Sequence, residues 1–120
     1  MIEIMSETEG KMLAVKATEK LTYDDYEEVF IPKLNQLIEE YGKIRVVMNF
    51  AENFTGWEPE AAWDDAKFGI QHRNDFEKIA VIGGPKWVEW AIRLSAYFIY
   101  GEVKTYEASD FQDAISWVKE

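Results

Sequence analysis

The stretch that decides the fold is IRVVMNF, residues 44–50, an almost continuous apolar run rich in β-branched residues. Such runs are typical of strands buried on both faces, as in parallel sheets covered by helices. A second run of this kind occupies residues 79–82, and helical patterns lie before, between and after the two runs. This alternation predicts an α/β domain with a mostly parallel sheet.

On the N-terminal side, residues 2–6 and 12–18 are predicted to form two short strands that pair as neighbours. Thr22 is placed to cap the first helix, and Pro32 is expected to bend or split that helix. A last strand is expected at residues 102–106, followed by a terminal helix. The predicted order is ββαβαβαβα, in one domain that fills residues 1–120, with a mixed, mostly parallel sheet flanked by helices.

Composition excludes several classes of function. The 120 residues include no cysteine, so disulfides, a cysteine nucleophile and a thiolate metal site are ruled out. The absence of cysteine is most consistent with the cytoplasm. Thirteen basic and 23 acidic residues give a net charge of −10, which disfavours nucleic-acid binding.

The third predicted helix, residues 85–101, is more apolar than one side of a helix requires. Its polar positions span an arc of only ~80°, which leaves roughly 240° apolar where a surface helix needs about 100°. The small and β-branched part of this arc suits close packing on a sheet. The other part is a bulky, mainly aromatic flank with no obvious partner inside the domain, formed by Trp87, Trp90, Leu94 and Phe98.

This helix can lie on a membrane but cannot cross one. Its longest apolar run, residues 87–100, contains Glu89 and Arg93 and is shorter than the ~20 residues that a span needs. Lys86 and Arg93 lie at its polar edge, where they could contact an anionic head group or form ion pairs with Glu89. The N-terminus is acidic and shows no export signal.

A second aromatic set, Trp57, Trp63 and Phe68, lies on or just before the second helix. Ala62, Trp63, Ala66, Gly69 and Ile70 are expected to form one face of that helix. Because helices that follow successive parallel strands are often neighbours, the two aromatic sets could line one cleft. They could also pack as ordinary core, or form a homodimer interface.

Four segments together carry a family resemblance: YEEVFIPKLNQLIEEYGKIRVVMNF (26–50), Gly56-Trp57, WDDAKFGIQHRNDFEKIAVIGG (63–84) and KWVEW (86–90). In their order they resemble the SpoIIAA-like family. The resemblance implies a STAS-like domain, related in fold to the CRAL-TRIO lipid-binding domains. It also implies a protein that associates with membranes and holds apolar or amphipathic ligands through movement of the helix at residues 85–100.

The phosphorylation switch of STAS domains is disfavoured in this sequence, where its one candidate is Thr55. The resemblance places the phosphorylated serine between the third strand and the second helix, but NFAENFTGWEPE, residues 49–60, contains no serine. Thr55 is the only hydroxyl there, and it lacks the preceding aspartate. Three glutamates, Glu52, Glu58 and Glu60, further disfavour an added phosphate.

Catalytic and metal sites have weaker support than ordinary structural roles. His72 is the only histidine and could act as a base oriented by Asp65, but it reads more simply as a surface hydrogen-bonding group. Asp64, Asp65 and His72 cannot converge on one metal from one helix. The Gly83-Gly84-Pro85 turn lacks a nucleotide-binding motif and reads as a strand-to-helix connection.

These features predict a binding protein and not an enzyme, with no cofactor and no metal. The expected ligand is an apolar or amphipathic small molecule between the second and third helices, with peripheral membrane contact and a homodimer both open. The alternative is a regulatory protein–protein interaction module that uses the same aromatic flank. The predicted ligand-binding residues are Trp57, Trp63, Phe68, Trp87, Trp90, Leu94 and Phe98.

Overall fold

The computed structural model describes residues 1–96 and 99–120, with the side chains of Leu94 and Ser95 outside the description. Its main sheet has five strands: β1 (Ile2–Ile4), β2 (Met12–Ala17), β4 (Ile44–Phe50), β6 (Phe76–Gly83) and β7 (Glu102–Tyr106). They lie side by side in the order β1-β2-β4-β6-β7. β1 is antiparallel to β2 and the remaining pairs are parallel.

The helices follow the strands as parallel crossovers require. α1 (Ile31–Tyr41) precedes β4, α2 (Pro59–Gln71) precedes β6, α3 (Lys86–Ala96) precedes β7, and α4 (Phe111–Lys119) follows β7 after a short 3₁₀ turn. The predicted class and order, ββαβαβαβα, are therefore confirmed. One small addition is a two-residue parallel pair, β3 (Lys20–Leu21) with β5 (Gly56–Trp57).

The first helical segment is divided as its proline requires. Residues Asp25–Phe30 form a π-helical turn, and α1 begins directly after it with Pro32 in its first turn. The start of the segment is fixed by a reciprocal capping box: the Asp25 N–H donates to Thr22 Oγ1 at 3.1 Å, and the Thr22 N–H donates to Asp25 Oδ2 at 2.9 Å. Both expectations for this region are confirmed.

Two apolar cores lie on opposite faces of the sheet. The smaller core packs α4 on one face, through Ala114, Ile115 and Val118. The larger core packs the π-turn, α1 and part of α2 on the other face. α3 contributes least to that core, because Val88 is the only buried position among its described side chains.

None of the described helices is long and apolar enough to span a membrane.

Candidate functional site

A cavity of about 490 Å³ lies on the α3 side of the sheet. This volume falls within the ~300–1,000 Å³ typical of small-molecule sites. Its floor is formed by residues that are paired across neighbouring strands. Val46, Ile79 and Val103 are partners across β4, β6 and β7. Two residues further along the strands, Met48 pairs with Val81. The sheet therefore gives the cavity a continuous apolar floor.

Small side chains on two helices explain why the space is left open. α2 presents Ala62, Ala66 and Gly69 to the cavity, and α3 presents Ala91, Ile92 and Ala96. α2 comes close at Gly69 to the segment that follows α3, where an added Cβ would lie 3.8 Å from Ile99 Cδ1. Because Ala62, Ala66 and Ile70 are both exposed and part of the lining, the cavity opens to solvent along α2.

The polar end of the cavity is a chain of three side chains. The Trp57 Nε1–H donates to the Tyr26 hydroxyl at 2.9 Å, and that hydroxyl donates to Asp65 Oδ1 at 2.9 Å. Tyr26 is only 1% exposed. Trp57 is positioned by the β3–β5 pair, Tyr26 by the π-turn and Asp65 by α2.

Burial sets the protonation behaviour of this chain. It raises the pKa of Asp65, an effect only partly opposed by the hydrogen bond from Tyr26. Burial also raises the pKa of Tyr26 well above its usual value, and the nearby Asp65 charge adds to this rise. No cation forms a salt bridge with Asp65 among the residues that the structure describes.

An aromatic cluster fixes the N-terminal end of α3. Trp87 stacks on Phe54 with ring centroids 5.9 Å apart and meets Trp57 edge-on at 6.0 Å. Phe50 completes the cluster against Phe54 at 4.6 Å. The expectation that the aromatic flank has no partner inside the domain is therefore wrong for Trp87, although this side chain remains 44% exposed.

Trp87 does not line the cavity, and the other six predicted ligand-binding residues fall into three groups. Trp57 and Phe68 line the cavity. Trp63 and Trp90 lie outside it and are 71% and 67% exposed, so Trp63 does not share the cavity with the other residues of its expected face. Phe98 lies outside the described residues, and the side chain of Leu94 is likewise not described.

The predicted head-group contacts, Lys86 and Arg93, are exposed and do not line the cavity. Arg93 Nη2 donates to Glu89 Oε1 at 2.7 Å, which is the simpler role that the sequence allowed. Thr55, the residue weighed for phosphorylation, is exposed and donates from Oγ1 to the Glu19 carbonyl at 3.1 Å.

His72 is held in a structural arrangement at the end of α2. Its Nδ1 lies 2.9 Å from Asp75 Oδ2, and its ring stacks on Phe68 with centroids 4.3 Å apart. The hypothesis that Asp65 orients His72 as a catalytic base is not supported, because Asp65 accepts a hydrogen bond from Tyr26 instead. Among the described residues, no group of three or more acidic, histidine or cysteine side chains could hold a metal ion.

Sequence reasoning missed Asp65 as a cavity residue. Its signal was its place on α2, three residues after Ala62 and four before Gly69, which puts a carboxylate in the middle of a small-residue face. Such a position brings a carboxylate next to an apolar wall, where it needs a hydrogen-bond donor in place of the water that it loses.

Comparisons with known proteins agree with the resemblance noted in the sequence. The family model described as SpoIIAA-like matches residues 12–119. A crystal structure of an uncharacterized protein of the DUF3478 family with a SpoIIAA-like fold, from Shewanella loihica PV-4, is similar with a TM-score of 0.76 and 35% sequence identity. The match covers 98% of this chain and 93% of the other. No curated protein matches the chain. This chain belongs to the SpoIIAA-like family.

Proposed function

We propose that this protein binds a small apolar or amphipathic molecule in the cavity between the sheet, α2 and α3, and does not transform it chemically. The observation that carries the proposal is the 490 Å³ cavity itself, with apolar side chains on most of its wall and one polar end. The apolar part of this wall favours an apolar occupant over water, because water gains no hydrogen bonds from apolar side chains.

In this proposal the movable wall is α3 beyond its N-terminal end, which Trp87 holds against Phe54 and Trp57. Supporting this role, its described side chains bury only Val88, and Ala91, Ile92 and Ala96 border the cavity where larger residues would fill it. The elements on the opposite wall are held by a continuous core. Displacement of α3 therefore costs less apolar burial than displacement of α1.

Outside the cavity, the two side chains best suited to catalysis are engaged in ion pairs, which favours binding over catalysis. His72 pairs with Asp75, and Arg93 pairs with Glu89.

The test is equilibrium dialysis with naphthalene, an uncharged probe without a head group. We expect wild type to bind naphthalene with saturation at one site, and Ile79→Trp to lose binding because the indole occupies the cavity. Val103→Phe, on the neighbouring strand, provides a second blocked variant if the first folds poorly. Trp90→Ala, on the exposed side of α3, should bind as wild type does. Equal binding by wild type and a folded blocked variant would refute the proposal.

A second candidate function uses the outer surface. The indoles of Trp63 and Trp90 are the most exposed large apolar side chains, and such groups often contact a membrane or a protein partner. Because the net charge of −10 opposes anionic lipid, we infer contact with uncharged lipid or with a second copy. Sedimentation with phosphatidylcholine vesicles, and sedimentation equilibrium without them, separate these outcomes. Trp63→Ala and Trp90→Ala should each weaken the interaction, and monomeric protein that ignores vesicles would exclude this function.

A further inference from the structure

We propose that Asp65 is the head-group acceptor of the cavity, and that it selects amphipathic ligands whose head group donates a hydrogen bond, such as primary amines and alcohols, over ligands with a free carboxylate. This inference rests on the proposed binding function and specifies the class of ligand.

The direction of the hydrogen bonds supplies the first argument. The indole of Trp57 has one N–H, which is given to Tyr26, and the hydroxyl of Tyr26 has one proton, which is given to Asp65 Oδ1. Both donors of the chain are thus used internally. The polar end of the cavity offers a ligand acceptor oxygens only, chiefly Oδ2 of Asp65, because the hydrogen bond from Tyr26 goes to Oδ1.

The charge at this end supplies the second argument. Of the described residues that line the cavity, none is lysine, arginine or histidine, and Asp65 is the only acidic one. A carboxylate in apolar surroundings is unfavourable unless it is paired or hydrogen-bonded. An ammonium or hydroxyl group placed at Oδ2 would donate a second hydrogen bond to this carboxylate, beside the one from Tyr26, which favours binding of such a head group.

A ligand carboxylate has the opposite effect. It would bring a second negative charge beside Asp65, with no donor to receive it, and two carboxylates in one site repel unless one takes up a proton. The lysine and arginine that the sequence suggested as its partners, Lys86 and Arg93, do not line the cavity. A fatty acid is therefore a poor ligand at neutral pH even though its chain suits the apolar wall.

The test compares decylamine, decanol and decanoate, which share one chain and differ in head group. Calorimetry at neutral pH should show that wild type binds the amine and the alcohol each at least tenfold more tightly than decanoate. The uncharged alcohol controls for general attraction of amines to an acidic protein. Asp65→Asn should narrow these ratios to less than threefold, because its amide offers a donor as well as an acceptor.

The matched control is Asp64→Asn, which removes the neighbouring carboxylate that does not line the cavity and should leave the ranking unchanged. An alcohol that binds no better than decanoate, or a ranking that survives in folded Asp65→Asn, would overturn the inference. Naphthalene binding distinguishes a failure of the head-group inference from a failure of the proposed binding function. If wild type binds naphthalene without the head-group ranking, the inference fails and the proposed function stands. If wild type binds neither naphthalene nor any of the three amphipaths, the proposed function fails.

Discussion

Replacing Tyr26 by phenylalanine tests the polar chain at the end of the cavity most severely. The substitution keeps the ring, including its edge contact with Phe30 at 5.4 Å, and removes only the hydroxyl. That hydroxyl receives one hydrogen bond from Trp57 and donates one to Asp65, both at 2.9 Å. Tyr26 is almost fully buried, and loss of its hydroxyl removes one hydrogen-bond partner from the Trp57 N–H and one from Asp65 Oδ1.

The magnitude follows from these two bonds. A hydrogen bond to a charged group contributes about 1.5–3 kcal/mol, and a neutral one about 0.5–1.5 kcal/mol. We expect Tyr26→Phe to lower the free energy of unfolding by roughly 2–4 kcal/mol. For a chain of 120 residues, with an unfolding entropy of about 0.25 kcal/mol/K, this corresponds to a fall in Tm of roughly 8–16 °C.

The assay is urea unfolding followed by far-ultraviolet circular dichroism at neutral pH, with thermal melts in parallel. Tyr41→Phe is the matched control, because Tyr41 is 46% exposed, and its effect should stay within about 0.5 kcal/mol. A Tyr26→Phe variant that unfolds with the same free energy as the control would refute the reasoning. It would mean that water already solvates the hydrogen-bonded groups of Trp57, Tyr26 and Asp65.

Three further substitutions test the fold and its electrostatics. Since burial raises the pKa of Asp65 above the ordinary 3.8, the folded state holds more protons than the unfolded state just above that pH, and stability falls as pH rises through this window. Asp65→Asn should therefore be more stable than wild type at neutral pH in urea titrations, with the gain disappearing below that value; a constant difference across pH would contradict this. Gly101→Ala should cost about 3 kcal/mol or more, because its Cβ would overlap the Phe76 carbonyl, and a variant melting like wild type would show that the backbone can yield. Thr22→Ala should cost about 0.5–2 kcal/mol by loss of the capping box with Asp25, measured by urea unfolding, and an unchanged midpoint would contradict the cap.

Apolar patterning was sufficient to predict the order of the elements. The runs in β4 and β6 and the helical spacing between them correspond directly to burial, because a strand or helix with such a pattern must cover its apolar face. The β3–β5 pair was missed, because two residues are too few to show a period. The β3–β5 pair matters for the site, because it holds Trp57 where its indole N–H can donate to Tyr26.

The candidate site was only partly predictable. The aromatic residues drew attention because they are large, yet Trp63 and Trp90 point away from the cavity. The cavity is made instead by what is small: Ala62, Ala66 and Gly69 leave space that a pattern of apolar residues does not reveal. Sequence periodicity shows which face of a helix is apolar, whereas a cavity depends on how closely two faces approach.

The central claim is that an apolar molecule occupies the cavity under α3. Intermolecular nuclear Overhauser effects between naphthalene and methyl-labelled protein test this claim most directly, because they report which side chains touch the probe. We predict effects to the cavity methyl groups of Ile79, Ile92 and Val103. Saturating naphthalene that shows effects only to groups outside the cavity, or none at all, would contradict the claim.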